Sequence, residues 1–324
     1  MTRFLVFSDL HLNRWLYGSS VLGGFNSRLL DQEKVLDQIG IYAKDNGISL
    51  CIFLGDLFHT STVSSEVLEV AYRSFKKLSS QMDLVLLVGN HDQANKEGSI
   101  HSLSFFRPFA TLVDKPCALG GLEGINMYAS PYLEKQEDLI EFFSTIEDNS
   151  IAFIHQGVSG VPINSKGFVL NETFNPKMIP PKMKHVFAGH YHSHTRVNSQ
   201  ITIPGSPLQL TWGDLGEPRG WLDVSIGDEI IIHHVESLAP KFILNPKEKE
   251  IKGNFIRCTK EKEEFLNKGA LSIEKVQIQE QLLLFSGYNL NTLNEIFEEY
   301  IVTKKLDESL IEVGREIWNL KPDS

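Results

Sequence analysis

Cysteine is scarce. Cys51, Cys117 and Cys258 are the only three in 324 residues, an odd number without paired spacing. That argues against a disulfide framework and against a thiolate metal site, and it fits a reducing cytoplasm. Cys51 sits inside an apolar run and reads as a small packed hydrophobe. Long apolar runs are missing too. No stretch of 18 apolar residues exists, so no membrane-spanning helix is expected. The apolar stretch before Ser8 and Asp9 is too short for a signal peptide. A basic excess is also lacking: 31 Lys and Arg stand against 41 Asp and Glu, for a net charge of −10. A binder of nucleic acid that relies on a broad basic surface is therefore disfavoured, unless bound cations change the local sign. There is no internal repeat of domain size and no low-complexity tract.

What is present is one short pattern used five times: an apolar strand ending in Asp, Asn or His. Leu84-Val-Leu-Leu-Val88 leads through Gly89 into Asn90-His91-Asp92. Phe4–Phe7 leads into Ser8-Asp9-Leu10-His11, and Leu50–Leu54 into Gly55-Asp56-Leu57-Phe58-His59. Ile151–Ile154 leads into His155, and Val186–Ala188 into Gly189-His190-Tyr191-His192. In layered α/β folds, ligands bind at the carboxyl ends of strands. Carboxylates, an amide oxygen and several imidazoles gathered there would be costly without a cation. The mixture of hard oxygen and imidazole donors suits Mn²⁺, Fe²⁺ or Zn²⁺.

Between these units the spacing predicts helices. Leu29, Val35, Leu36, Ile39 and Ala43 keep helical period after Ser27, a candidate cap, and Gly47 would end that helix. Leu68, Ala71, Phe75 and Leu78 form a stripe on a second helix over about 64–78, which Val67, Val70 and Tyr72 widen. Strands alternating with helices indicate α/β layers. Beyond Asp114 short strands follow at 126–130, 151–155, 186–190, 201–204, 221–226 and 230–235, predicting a second sheet facing the first. Residues 239–253 read as a linker. Strands at 255–258 and 272–277 around a helix at 261–267 predict a small α/β unit, and the pattern from Asn289 onward is helical.

The five motifs, in this order and setting, resemble the calcineurin-like metallophosphoesterases. Within them, Gly55-Asp56-Leu57-Phe58-His59 lacks the Arg of the Gly-Asp-x-x-Asp-Arg-Gly run of protein phosphatases and is similar to the SbcD and Mre-eleven nucleases. Gly205–Gly213 and Pro218-Arg-Gly-Trp221 resemble SbcD-type sequences as well. Two departures stand out: Asn13 where SbcD proteins tend to carry Gly, and Ile154 where Gly is commoner before the His. The resemblance covers residues 1–235 well and implies an α-β-β-α sandwich of four layers. It also implies three parts: a nuclease domain at 1–238, a capping, DNA-binding domain at 239–286, and a helix-loop-helix at 287–324.

On that resemblance Asp56 bridges two divalent ions, most simply Mn²⁺. Asp9, His11 and His192 complete one site, and Asn90, His155 and His190 the other. His91 acts on the leaving oxygen, with His59 and Asp92 as further catalytic-site residues. Arg14, Trp15 and Tyr17, on the loop after the first motif, could touch DNA. The expected activity is 3′–5′ exonuclease on double strands and endonuclease on single strands, the pattern of a phage recombination nuclease acting in the host cytoplasm. The expected partners are DNA, an SbcC-like ATPase of the SMC family gripped through Leu310, Val313, Ile317, Trp318 and Leu320, and a second copy of the chain. The twofold contact is expected on the helix carrying Val67 and Val70 with residues 99–109. A phosphodiesterase for small or cyclic nucleotides and an inactive scaffold are the competing expectations. His194 reads as a support for the last ligand pair, and His101, His185, His233 and His234 as surface or sheet positions.

Overall fold

The computed structural model describes residues 2–16, 20–162, 169, 174–227, 229–258 and 268–275. Tyr17, the expected helix at 261–267 and the expected hairpin with Leu310, Val313, Ile317, Trp318 and Leu320 lie outside them. Residues 1–274 form one compact unit.

The chain opens with β1 (Thr2–Phe7), followed by the small hairpin β2 (Val21–Leu22) and β3 (Phe25–Asn26). Next comes α1 (Ser27–Asp45). Its cap is Asn26 rather than Ser27: the Asn26 side chain accepts from the amides of Arg28 and Leu29, which places Ser27 one residue inside the helix. Gly47, at φ +66°, ends it as expected. Then follow β4 (Leu50–Phe53), α2 (Ser65–Ser79, capped by Ser64), β5 (Asp83–Leu87) and a 3-10 turn at Ser102–Phe106. The strands β6 (Thr111–Val113), β7 (Cys117–Leu122) and β8 (Ile125–Ser130) precede α3 (Gln136–Ser144). β9 (Ser150–His155), β10 (His185–Gly189), β11 (Thr195–Arg196) and β12 (Ile201–Ile203) lead to the hairpin of β13 (Gly220–Ile226) and β14 (Ile230–Glu236). Last are β15 (Phe242–Leu244), β16 (Phe255–Cys258) and β17 (Ser272–Lys275).

Two six-stranded sheets result, ordered β14-β13-β1-β4-β5-β6 and β11-β12-β10-β9-β8-β7. In each, four consecutive strands run parallel and the other two pair antiparallel. Parallel strands are covered on both faces, which is why they read as unbroken apolar runs rather than alternating ones. Phe4 and Val6 on one face of β1 join Ile151, Phe153 and Phe187 of the other sheet in a shared core. The Phe4 ring meets Phe153 edge-on at 5.8 Å. Leu5 and Phe7, on the opposite face, pack with Leu36, Ile39 and Phe75 of α1 and α2. The far face of the second sheet buries Leu139, Phe142 and Phe143 of α3. The layers therefore run α-β-β-α, and each of these side chains contributes roughly 1.5–3 kcal/mol by leaving water.

Three expectations need correction. The strands at 221–226 and 230–235 join the first sheet, not the second: β13 pairs antiparallel with β1, and β14 with β13. Val67 and Val70 are buried in the core beneath α2, so neither is available to a second copy. Their breadth on the helix reflects a neighbour on each side, the sheet and the 3-10 turn with Leu103 and Phe106. The stretch 239–253 is not a plain linker, because β15 lies within it and pairs parallel with β16. That third sheet seats on the core through the buried Arg28. Its guanidinium lies 4.5 Å from the Phe255 ring centre and 5.4 Å from that of Phe242, while donating to Asp31 and to the Gln209 carbonyl.

Candidate metal centre

The carboxyl ends of β1, β4, β5, β9 and β10 bring their polar residues to one place. Asp9, His11 and His192 offer ligand atoms that all lie within 4.8 Å of one another, and so do Asp56, His155 and His190. His11 Nε2 stands 3.0 Å from His192 Nε2. The Asn90 side-chain oxygen lies 3.0 Å from His155 Nε2 and 3.0 Å from His190 Nδ1. Asp56 stands between the two groups: Oδ2 is 3.6 Å from His11 Nε2, and Oδ1 is 3.4 Å from His155 Nε2.

The backbone is bent to achieve this. Asp9, His11, Asp56 and His190 have φ of 55°, 46°, 57° and 105°. Side-chain-bearing residues rarely occupy that region, and each costs on the order of 1–3 kcal/mol. Strain concentrated on four of the seven expected ligands marks a site selected for chemistry over stability. Hydrogen bonds hold it in place. The amide of Asp9 donates to Gly55 and that of His11 to Asp56, both at 3.0 Å, while the amide of His190 donates to the Asp9 carboxylate. Glycine is required at 89, where a Cβ would stand 2.2 Å from Asp56 Oδ1, so the ligand could not sit there beside any other residue.

Asp92 is placed under the site rather than in it. Its buried carboxylate accepts from the amides of Asp56, Leu57, Phe58 and Gly89 at 2.9–3.3 Å. It fastens the turn after β4 to the turn after β5 and so holds the backbone of Asp56 in place. His91 hangs from the neighbouring motif, Nδ1–H donating to the His59 carbonyl at 2.7 Å, with its Nε2 turned toward Asp56 Oδ2 at 4.0 Å. The His59 ring stacks on His91, centres 5.6 Å apart, and meets the Trp15 indole at 4.8 Å. Trp15 donates its indole N–H to the His11 carbonyl. Arg14 pairs with Glu66 at 3.0 Å and is engaged by this chain itself.

Sequence reading missed several supports. Gln32 donates from α1 to the carbonyls of Leu10 and His11, a polar residue on an otherwise apolar stripe. That break in the stripe was the available signal. Tyr132 stacks on His190 at 6.2 Å, and nothing in its local sequence marks it. His101 is buried, not a surface position, whereas His185 is a sheet position as expected, buried at the start of β10 with Nε2 3.0 Å from Thr202 Oγ1.

The buried groups shift one another's titration. Burial and the adjacent Asp56 push the Asp9 carboxyl up, against the pull of His155 and His192. Burial pushes Asp56 up as well, but the imidazoles of His155, His11 and His91 outweigh it and hold that carboxyl below the usual range. Burial drives His11 far down and His190 down to about 4, so both present lone pairs. Burial opposes a charge on His155, yet Asp56 raises it to about 9. Its Nδ1–H is held by the Leu54 carbonyl at 2.6 Å, which aims Nε2 inward as a ligand. Two buried carboxylates, an amide oxygen and four inward-facing imidazoles fit a pair of divalent cations.

The fold and this donor set define a metal-dependent phosphoester hydrolase. Residues 2–194, more than half of the chain, match the calcineurin-like phosphoesterase model, and the chain belongs to that family. Two solved structures are similar to it. One is a dimetal phosphatase from Danio rerio, with 9% identity and a TM-score of 0.45, covering 73% of this chain and 98% of that one. The other is the purple acid phosphatase PPD1 from seeds of yellow lupin, Lupinus luteus, with 11% identity and a TM-score of 0.47, covering 86% of this chain and 57% of that one. Among the described residues no helix is long and apolar enough to cross a membrane.

Proposed function

We propose that the chain is the nuclease subunit of an SbcCD-type complex, hydrolysing DNA phosphodiesters from 3′ ends of duplexes and within single strands. The observation that carries this reading is the stacked His59–His91 pair beside the donor cluster. A phosphodiester has no terminal phosphate for an arginine to grip, and its leaving alkoxide needs a proton. Leu57-Phe58-His59 stands where protein phosphatases carry their Arg-bearing run, and it supplies an imidazole and a carbonyl instead.

Two divalent ions, Mn²⁺ in this proposal, would be held by Asp9, His11 and His192 and by Asn90, His155 and His190 with Asp56 between; when bound they polarise the phosphoryl group and acidify the attacking water. His91 does the proton work. With Nδ1–H committed to the His59 carbonyl, Nε2 is the nitrogen that protonates the leaving oxygen and returns neutral. His59 supports the scissile phosphate from the side of Trp15, and Arg14, Trp15 and Tyr17 form the proposed DNA rim. Residues 239–286 are proposed to cap the duplex. Residues 287–324 are proposed to dock an SbcC-like ATPase, and a second copy of the chain would complete the complex.

The purified chain with Mn²⁺ should degrade end-labelled duplex DNA and nick single strands, with EDTA abolishing both. Hydrolysis of bis-p-nitrophenyl phosphate without any attack on DNA would overturn the nuclease reading in favour of a small-diester phosphodiesterase. Deleting residues 287–324 should abolish co-purification with the ATPase and leave small-diester hydrolysis intact, because every proposed ligand precedes residue 193.

A further inference from the structure

His192 stands off its own strand. His190 directly follows β10, whereas His192 lies three residues beyond Gly189, on a loop that must be held from elsewhere. The segment 203–219 holds it. Gly205, at φ +77°, comes so close that a Cβ there would stand 2.6 Å from both the His192 carbonyl and the His194 amide. The Ser206 amide donates to the His192 carbonyl at 2.9 Å, and His194 Nδ1–H donates to the Ile203 carbonyl at 2.8 Å.

Beside this backbone clamp runs a chain of side chains. Ser193 Oγ donates to Glu217 Oε2 at 2.5 Å. Arg219 Nη2 donates to that same oxygen and to Asp214 Oδ1, both at 2.9 Å. Asp214 Oδ2 in turn accepts from the amides of Leu210 and Thr211. Arg219 is buried, and its Nε and Nη1 have no partner. A buried guanidinium with two idle donors is a poor way to add stability, since desolvation offsets most of its pairing energy. Its placement makes sense if the pull on Glu217, and through it on Ser193, has another purpose.

We infer that Ser193, Glu217 and Arg219 are positioning residues that set the His192 imidazole against His11, and so fix the affinity of the ion site that Asp9, His11 and His192 form. Glu217 holds the residue next to the ligand, and Arg219 fixes the Glu217 carboxylate in turn. Ligand-orienting groups of this kind typically govern metal affinity by roughly 10–100-fold. The inference rests on the two-ion reading of the site but not on DNA as the substrate.

The test is Mn²⁺ titration of the full chain by calorimetry, with low-temperature electron paramagnetic resonance to distinguish a spin-coupled pair from a single ion. Ser193→Ala removes one hydroxyl from a half-buried site, and Glu217→Gln keeps shape while weakening the bonds to both neighbours. Each should bind one Mn²⁺ as tightly as wild type and the second roughly 10–100-fold more weakly, with the coupled signal lost at limiting metal. Arg219→Lys, which keeps the charge, should recover more of the second site than Arg219→Met. Arg73→Met, which removes a surface pair with Glu33, serves as the control and should leave both affinities unchanged. If Ser193→Ala and Glu217→Gln lower the melting temperature but bind two ions with wild-type affinity, the chain of side chains is only a structural tie and the inference fails. Weak binding of both ions alike would also overturn it. Because the readout is metal alone, an inactive but normally loaded protein would count against the DNA substrate and not against this assignment.

Discussion

His91 and His59 are joined ring to backbone: the His91 Nδ1–H donates to the His59 carbonyl at 2.7 Å, and the two rings stack at an interplanar angle of 20°. The bond fixes the His91 tautomer and leaves only Nε2 to exchange protons near Asp56. His91→Ala should therefore keep both ions while losing roughly 10²–10⁴ in kcat, the usual worth of a positioned acid. Elemental analysis beside the kinetics checks this; metal loss in the variant would make His91 a ligand.

Asp56 faces both donor groups with different oxygens, whereas Asp9 belongs to one. Asp56→Ala should lose both ions together, and Asp9→Ala should weaken chiefly one. Calorimetric stoichiometry separates the cases. One tight ion remaining in Asp56→Ala would refute the bridge.

Asp92 gathers four backbone amides from two turns. Asp92→Ala would strand those donors in a buried space, where each unsatisfied group costs about 1–3 kcal/mol. Allowing for water entry, a loss on the order of 3 kcal/mol is expected, with weaker metal binding because Asp56 is no longer held. Thermal or urea unfolding of the metal-free protein measures the first effect. A variant as stable as wild type would show that the turns hold each other without it.

His185 gives the protein an acid sensitivity independent of the site's ions. Burial, with Arg196 nearby, lowers its pKa to about 4 from an ordinary 6.5. The unfolded chain thus takes a proton at higher pH than the folded one. Stability should be flat above about 6.5, fall as pH drops toward 4, and level off where the folded protein is protonated as well. The full difference is at most about 3 kcal/mol. His185→Gln removes the titration, so the stability gap between it and wild type should change across that window. A constant gap from about pH 4 to about pH 7 would mean that His185 keeps its ordinary pKa.

The sequence by itself determined the repeated unit, an apolar strand followed by Asp, Asn or His. Those runs are unbroken because parallel strands are covered on both faces, and the ligands follow them because strand ends are where a layered fold is open. From that alone Asp9, His11, Asp56, Asn90, His155, His190 and His192 could be gathered on one edge. Helix spacing is equally local, which is why α1 and α2 are legible in the chain while the cap of α1 is not. Only the tertiary structure decided what depends on neighbours remote in the chain. Val67 and Val70 look like a second apolar face in the sequence and are core because their helix packs against both the sheet and a 3-10 turn beyond the next strand. Asp92 sits beside His91 in the sequence, and only the fold shows that two separate turns aim their amides at its carboxylate. Ser193, Glu217 and Arg219 carry no local periodicity at all. Their arrangement exists only once β13 has paired with β1 and brought the segment before it against the loop after β10.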